Sequence, residues 1–464
     1  MSVPAWVQDA IFYQIFPDRF ANGDPANDPA NVQPWGTLPT RRGFQGGDLR
    51  GIMQKLDYLA DLGVNALYLN PIFLAHSNHR YDTADYYQID HKLGTLKDFH
   101  ALIETAHRQG IRVILDGVFN HCSRGFFAFS DLLENEADSP YLHWFHVSKF
   151  PLRAYEDGHA RNYKAWWGIK SLPKFNTDTP AVRQYILNVA RYWIEQGADG
   201  WRLDVPNEID DDPFWAEFRQ VVLKANPEAY LLGEIWEAGP RWANDTHFDG
   251  LMNYPVRTAV LQYLMGSITS AQFGTHVEKL LITYPRENVY AMYVPLGSHD
   301  TERALTFYEG DVQKLKLAML FQFAYPGAPA IYYGDEIGLE GGKDPDCRRA
   351  FPWNEKQWNT ELRSWVKTLV AVRKGSTALR QGSYQPLYLS ESPATYAFAR
   401  SAGTELVIIA MNASSTPVKL SIPVDGFGFT DGQVLKSLLD GQELRVEAGQ
   451  VNITLKPFSG VYLK

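Results

Sequence analysis

The chain has 464 residues, 45% of them hydrophobic and 21% charged, which supplies a large core and excludes general disorder. Lys and Arg total 44 against 53 Asp and Glu, a formal net charge of −9, so a broad phosphate-binding surface is excluded and no nucleic-acid partner is expected. No stretch approaches ~18 consecutive apolar residues, and the opening MSVPAWVQDAIFYQIFPDRF lacks both a basic start and an unbroken apolar run; no membrane partner is expected, and the location read from the chain is cytoplasmic.

Aromatic residues make up 14%, with 13 Trp and 25 Tyr, part of them core and part suited to a neutral, polyhydroxylated ligand. Two cysteines, Cys122 and Cys347, are too few for a disulfide framework and are read as buried thiols.

In chain order, a strand is expected over IFYQIF (11–16), an amphipathic helix over 49–63, a strand over ALYL (66–69) and a helix over 99–110. RVILDGV (112–118) is the third strand, and an irregular stretch rich in Phe, Trp, His and Tyr follows it over 122–175. That stretch is too long for an ordinary βα loop and is read as an inserted subdomain. A helix over 182–197 precedes strands at GWRLDV (200–205), AYLLGEI (229–235), DGLMN (249–253), VYAMYVPLGSH (289–299) and AIYYGDE (330–336). Eight strands alternating with helices imply βαβ units closed into a (β/α)8 TIM barrel over 1–121 and 176–379. Beyond a helix near 362–377, TYAFARS (395–401), ELVIIAMNAS (405–414), VKLSIPV (418–424), ELRVEA (443–448) and VNITLK (451–456) alternate with turn residues. They predict a C-terminal antiparallel β-sandwich over 380–464.

In such a barrel, chemistry collects where the strands end. The third strand carries Asp116, followed by Asn120 and His121; the fourth carries Arg202 and Asp204, two apart and on one face. The fifth ends in Glu234 and the seventh in His299 and Asp300. Each alone has an ordinary structural reading: a cap for an Asp, a salt bridge for Arg-x-Asp, a hydrogen-bonded core pair for Asn120 and His121. Three carboxylates from three strands, with an Arg and two His, would repel one another in a merely structural role. Two carboxyls flanking a glycosidic bond are what sugar hydrolysis needs, one ionised and one protonated. Arg202 is expected to hold Asp204 ionised, and Glu234, followed by Ile235 and Trp236, to sit in apolar company that raises its pKa.

DGVFNH (116–121), DGWRLDVPNE (199–208), LLGEIW (231–236) and GSHDTER (297–303) resemble, in order and spacing, the four signature regions of the alpha-amylase glycoside hydrolase family. LPKFN (172–176) resembles its fifth region, and the resemblance runs over essentially the whole chain. DVPNE, LPKFN and KDPDCRR (343–349) are most similar to the cyclomaltodextrinase, neopullulanase and maltogenic amylase group. Asn207–Glu208 stands where typical secreted alpha-amylases have Lys-His, which argues against an ordinary starch amylase. The resemblance implies that Asp204 is the nucleophile, Glu234 the acid/base and Asp300 the third carboxylate, gripping hydroxyls of a distorted sugar. It implies that Arg202, His121 and His299 line the same subsite, that Tyr81 stacks on the ring, and that Asp344 and Arg348 contact the preceding sugar. The expected outcome is net retention on α-1,4-glucosidic bonds of cyclodextrins, maltodextrins and pullulan or starch. A 4-α-glucanotransferase or exo-acting α-glucosidase would use the same carboxylates. A catalytically silent scaffold on this fold should have lost one of them, and all three are present.

Asn22, Asp24, Asn27 and Asp28 in ANGDPANDP, with Asp48 in GGDL, place oxygen ligands in a Gly/Pro-rich loop. Calcium suits such a set, and a solvated Asx-turn loop is the alternative. The spacing resembles a calcium loop of the cyclomaltodextrinase group, which adds the Gly46 carbonyl and makes structural calcium the expected cofactor. Trp166 and Trp167 suit either stacking on glucosyl faces or packing of the insertion; Trp236 and Trp353 lie beside catalytic motifs. The group usually carries a β-rich module before the barrel, for which there is no room ahead of residue 11, so a monomer with a more open cleft is expected.

Overall fold

The computed structural model describes residues 3–390 and 394–464. Ten strands precede the C-terminal region: β1 (Phe12–Ile15), β2 (Ala66–Leu69), β3 (Phe73–Ala75), β4 (Thr83–Ile89), β5 (Arg112–Gly117), β6 (Gly200–Leu203), β7 (Tyr230–Gly233), β8 (Gly250–Leu251), β9 (Tyr293–Pro295) and β10 (Ala328–Tyr332). All but β3 and β4 form one sheet in the order β8-β7-β6-β5-β2-β1-β10-β9, with every pairing parallel. A parallel bridge between Met252 and Tyr293 joins the two outer strands, so the sheet closes into the expected TIM barrel.

The closed barrel follows from strands that are buried on both faces. Phe12, Ala66, Tyr68, Ile114, Tyr230, Leu232, Tyr293, Ala328 and Ala330 fill the interior. The alternate residues Tyr13, Leu67, Leu69, Val113, Leu115, Trp201 and Leu231 pack outward under the helices. Trp201 is fully buried; truncating so large a core side chain costs about 3–5 kcal/mol.

Several elements differ from their expected extents. The run at 49–63 is two helices, Leu49–Gln54 and Leu56–Leu62, divided at Lys55 where φ is −106° and ψ is 9°. Val289 and Tyr290, expected as the start of a strand, instead end the helix Arg286–Tyr290. Asn288 explains this, because its side-chain amide donates to the carbonyls of Phe248 and Asp249 and ties that turn to β8. The eighth barrel strand stops at Tyr332, where Gly334 at φ 88° turns the chain into a 3-10 helix at Asp335–Ile337. The β3–β4 hairpin was not foreseen.

The segment over 122–175 holds one α-helix, Phe127–Asn135, and otherwise single helical turns and isolated bridges such as His121–Lys174 and Ala165–Pro173. After the helix Thr360–Lys374 come β11 (Ser383–Ser390), β12 (Thr395–Ala402), β13 (Glu405–Asn412), β14 (Val418–Pro423), β15 (Val434–Lys436), β16 (Glu443–Glu447), β17 (Gln450–Leu455) and β18 (Ser459–Leu463). They form two antiparallel sheets, β11-β12-β13-β18 and β14-β17-β16-β15, around a shared core that includes Ile408, Ala410, Leu420, Ile422, Val446 and Ile453. Cys122 and Cys347 are buried free thiols. Among the described residues no helix is long and apolar enough to cross a membrane.

Candidate active site

Strand register assembles the site. Residues alternate between the inner and outer faces of a strand, so the inward face that is apolar at Phe12, Ala66 and Ile114 carries Gln14, Tyr68 and Asp116 two residues further on. Asp116 lies opposite Arg202 in the β5–β6 pair. The ladder continues past the strands, with the Asp204 N–H donating to Gly117 O and the Glu234 N–H to Leu203 O, each at 3.0 Å. Asp204 and Glu234 therefore stand side by side on the rim. Val205, next to Asp204, has φ 36° and ψ 52°, a left-handed backbone that is costly for a β-branched residue. That backbone aims the Val205 N–H at Glu234 Oε2, 3.0 Å away.

The Arg202 side chain is fully buried at the centre of three carboxylates. Its Nη1 lies 2.9 Å from Asp116 Oδ1 and 3.0 Å from Asp204 Oδ1, and its Nη2 lies 2.8 Å from Glu234 Oε1. Burial pushes the Asp204 carboxyl well up, the neighbouring Glu234 carboxylate adds to this, and Arg202 only partly offsets them. Arg202 pulls Asp204 toward its ionised form as expected, but this one cation is shared among three acids. Glu234 is raised as expected, by burial first, with Arg202 and the Val205 N–H pulling it down. Two such carboxyls release their protons as a pair, in two steps.

A hydrogen-bonded chain organises the other wall. Tyr68 and Tyr81 both donate to Asp116 Oδ2, at 2.6 and 2.7 Å. Their oxygens accept from Asn70 Nδ2, which turns Asn70 Oδ1 toward Gln14 Nε2 at 3.0 Å. The second N–H of Gln14 reaches His299 Nδ1 at 2.8 Å. With Nδ1 accepting, His299 carries its proton on Nε2, 2.6 Å from the Tyr81 oxygen and 2.9 Å from Asp300 Oδ2. Gln14 Oε1 is buried with no partner among the described residues, so Gln14 acts here through its two N–H groups. Burial works to raise Asp300, but His299, Arg348 and Arg202 outweigh it and hold this carboxyl below the usual range.

Arg348 links Asp300 to Asp344, with contacts of 3.2 and 2.9 Å. Trp236 is 46% exposed and lies flat on Tyr254, with ring centroids 3.9 Å apart and planes 2° from parallel. His121 stacks on Trp166 at 5.3 Å; burial, and Lys174 after it, push its pKa down to about 3, so the ring is neutral.

A family profile for the alpha-amylase catalytic domain matches residues 14–374, and one for the neopullulanase-like C-terminal domain matches 384–462. The chain belongs to the alpha-amylase family. It is 45% identical to a cyclomaltodextrinase of Geobacillus thermopakistaniensis strain MAS1 over 461 residues, 99% of this chain and 77% of that one. It is 41% identical to neopullulanase 2 of Thermoactinomyces vulgaris, over 100% of this chain and 78% of that one. The solved structure of a cyclic α-maltosyl-(1→6)-maltose hydrolase from Arthrobacter globiformis, in complex with that sugar, superposes with a TM-score of 0.90 at 41% identity, covering 100% of both chains. As a member of the family, the protein is a glycoside hydrolase acting on α-glucans.

Of the residues picked from the sequence, this alpha-amylase family member brings Asp204, Glu234, Asp300, Arg202, His299, Tyr81, Asp344 and Arg348 into one contact network. Tyr68, Asn70 and Gln14 were missed, although a lone Gln inside the apolar strand IFYQIF is a visible anomaly. Tyr254, the support beneath Trp236, carried no local signal.

The loop read as a calcium site is also drawn together. Asn22 Nδ2 donates to both Asp28 oxygens, at 2.9 and 3.1 Å, and Asn27 Nδ2 donates to Asp48 Oδ2. The remaining amide oxygens, Asn22 Oδ1 and Asn27 Oδ1, are buried with no partners among the described residues. Gly46 takes φ 83°, and a Cβ there would lie 2.2 Å from Asp28 Oδ1. Asp24 pairs with Arg50 at 2.7 Å. Asp48 caps the helix Leu49–Gln54 and accepts from the N–H groups of Gly51, Gly23 and Asp24.

Proposed function

We propose that this α-glucan hydrolase cleaves α-1,4-glucosidic bonds of cyclodextrins and short maltodextrins with net retention. Asp204 is the nucleophile and Glu234 the acid/base. The observation that carries the reading is the seating of both carboxyls on adjacent nitrogens of Arg202, a close placement that suits the ~5 Å separation of retaining enzymes and not the wider gap that admits an attacking water.

In the first step Glu234, protonated, gives its proton to the glycosidic oxygen as that bond to the anomeric carbon breaks. The Asp204 carboxylate bonds to the same carbon from the other face and forms the glycosyl-enzyme. In the second step Glu234, now ionised, takes a proton from water. The resulting oxygen attacks the anomeric carbon and releases Asp204. His299 Nε2–H and ionised Asp300 supply a donor and an acceptor for adjacent hydroxyls of the reacting sugar, with Tyr81 beneath its ring and His121 beside it. Asp344 and Arg348 meet the preceding sugar. The exposed face of Trp236 meets the sugar beyond the scissile bond.

The test is a product chromatogram on β-cyclodextrin, maltotriose, pullulan and starch, with the anomer of the first product followed by NMR. Early appearance of the α-anomer from β-cyclodextrin is expected; a β-anomer would end the retaining assignment, and dominant longer products would favour a transferase. Full-length agreement with the Arthrobacter enzyme supports a second substrate, cyclic maltosyl-maltose, which would then be turned over faster than β-cyclodextrin.

The N-terminal loop is read as a structural calcium site, with Asn22, Asn27, Asp28 and the Gly46 carbonyl as holders. The unpartnered asparagine oxygens support this, since calcium takes neutral and anionic oxygens together.

A further inference from the structure

One aromatic arrangement is left unused by the mechanism. The His121 ring stacks on Trp166, and Trp166 stacks in turn on Trp167, with centroids 4.5 Å apart and planes 10° from parallel. The stack runs from buried His121 out to the surface. Trp167 at its end is 74% exposed, with one face on Trp166 and, among the described residues, no other aromatic ring against it.

Core packing does not account for Trp167. Its backbone is left-handed, φ 49° and ψ 23°, a conformation costly for a bulky side chain. Gly168 follows with φ 72°. The turn is pinned by the Trp166 N–H to Leu172 O, the Gly168 N–H to Ala165 O and the Ala160 N–H to Gly168 O, at 3.0, 3.0 and 2.8 Å. Glycine at 167 would suit this backbone and remove a large apolar surface from water. A strained and exposed indole, held parallel to rings that lead into the site, is explained by a ligand that lies on its face.

We propose that Trp167 is a stacking platform for a glucosyl unit of an α-glucan chain, two ring steps outward from His121 and beyond the sugars held around Arg202. The flat C–H face of a glucopyranose suits an indole that has no charged partner among the described residues. The proposal rests on the α-glucan reading of the site and extends its reach to longer chains.

The experiment compares the parent with W167A, W167G and W167F on maltoheptaose and on p-nitrophenyl α-maltoside. The ratio of kcat/KM for the long over the short substrate should fall about three- to tenfold in W167A and W167G, through KM, and W167F should restore part of it. W167G should also melt at a higher temperature than the parent, because the left-handed strain is relieved. A ratio unchanged in W167A and W167G, or an equal loss on both substrates, overturns the platform; the latter would mean that Trp167 only props His121. Calorimetric titration of maltoheptaose into Asp204→Asn, with and without W167A, asks the same question without turnover. A parent protein inert on both sugars and without affinity for maltoheptaose would instead overturn the underlying reading.

Discussion

The barrel rim and the inserted segment meet where His121 stacks on Trp166, and they are built on opposite principles. On the rim, Asp116, Arg202, Asp204 and Glu234 hang from strands β5, β6 and β7, and ladder hydrogen bonds run directly into the reacting residues. In the insertion only Phe127–Asn135 forms more than one helical turn, and order comes from aromatic stacking and single bridges. Bond-making groups need placement to a fraction of an ångström, which a ladder supplies. A wall that only lies against sugars tolerates irregular backbone, and loops of that kind carry much of the variation among enzymes of one fold.

The largest effect on this comparison comes from the rim itself. Asp204→Asn and Glu234→Gln should each lower kcat/KM by about ten thousandfold or more while the fold survives, measured with β-cyclodextrin. Both carboxyls have raised values when folded, so the folded state favours their protonated forms. The stability this adds is present at low pH and is lost as pH rises from the ordinary carboxyl value, about 4, through the raised folded values. Each neutral amide escapes that loss. Both variants should therefore melt above the parent at pH 7, with the gain shrinking toward pH 4. Melting below the parent at pH 7 would mean that Arg202 depends on the missing charge more than burial opposes it.

Gln14 tests whether the rim's precision reaches one shell outward. Gln14→Leu removes the N–H groups that orient Asn70 and hold His299 Nδ1 as an acceptor. A loss of about ten- to a hundredfold in kcat/KM is expected, in line with other residues that orient a reacting group. The signature separating this from a packing defect is the 15N shift of His299. Nδ1 should be unprotonated in the parent and should gain protonation in Gln14→Glu, whose carboxylate can only accept. Protonated Nδ1 in the parent would end the assignment.

The two regions also differ in how far they were legible from residues alone. Arg202 and Asp204 share a face because strand side chains repeat every two residues, so their pairing could be read directly. Contacts from Arg202 to Asp116 and to Glu234 depend on register between strands, which no local spacing encodes. Asp48, read as a metal ligand because GGDL sits beside an Asx-rich loop, is also an N-cap, and its oxygens accept from backbone N–H groups and from Asn27 Nδ2. Val289 and Tyr290 have the β-branched and aromatic texture of a strand but close the helix Arg286–Tyr290, where Asn288 binds the Phe248 and Asp249 carbonyls just before β8. In the insertion, Trp166 and Trp167 could be named but not sorted between core and surface, since periodicity says nothing where no regular element exists.

Calcium bears on a loop outside both regions, and its effect is read in stability. Added calcium should raise the melting temperature and a chelator lower it, with activity at 25 °C changed less than twofold. Asn22→Ala, which removes an unpartnered oxygen, should abolish the calcium response; indifference of the parent to both reagents would remove the ion from the account.

A modest effect on both stability and activity falls on the seam between rim and insertion. Lys174, in the insertion's last strand-like stretch, donates to Asn120 Oδ1 and, at 2.7 Å, to Glu208 O, so one ammonium ties the insertion to the loops after β5 and β6. Burial pushes its pKa down to about 8, with Glu208 pulling it back up. Lys174→Met keeps the stem and removes the charge, leaving two oxygens without their donor. A few degrees of melting temperature should be lost, since a hydrogen bond to a charged group contributes about 1.5–3 kcal/mol. The fall in kcat/KM should be about three- to tenfold, because Asn120 adjoins His121. Limited proteolysis distinguishes the two regions: cuts within 122–175 should speed up, while protection of β5, β6 and β7 by hydrogen exchange stays at the parent level. Equal loss of protection in both would mean that rim and insertion form a single cooperative unit, and that the division between a ladder-built and a contact-built wall holds for geometry but not for stability.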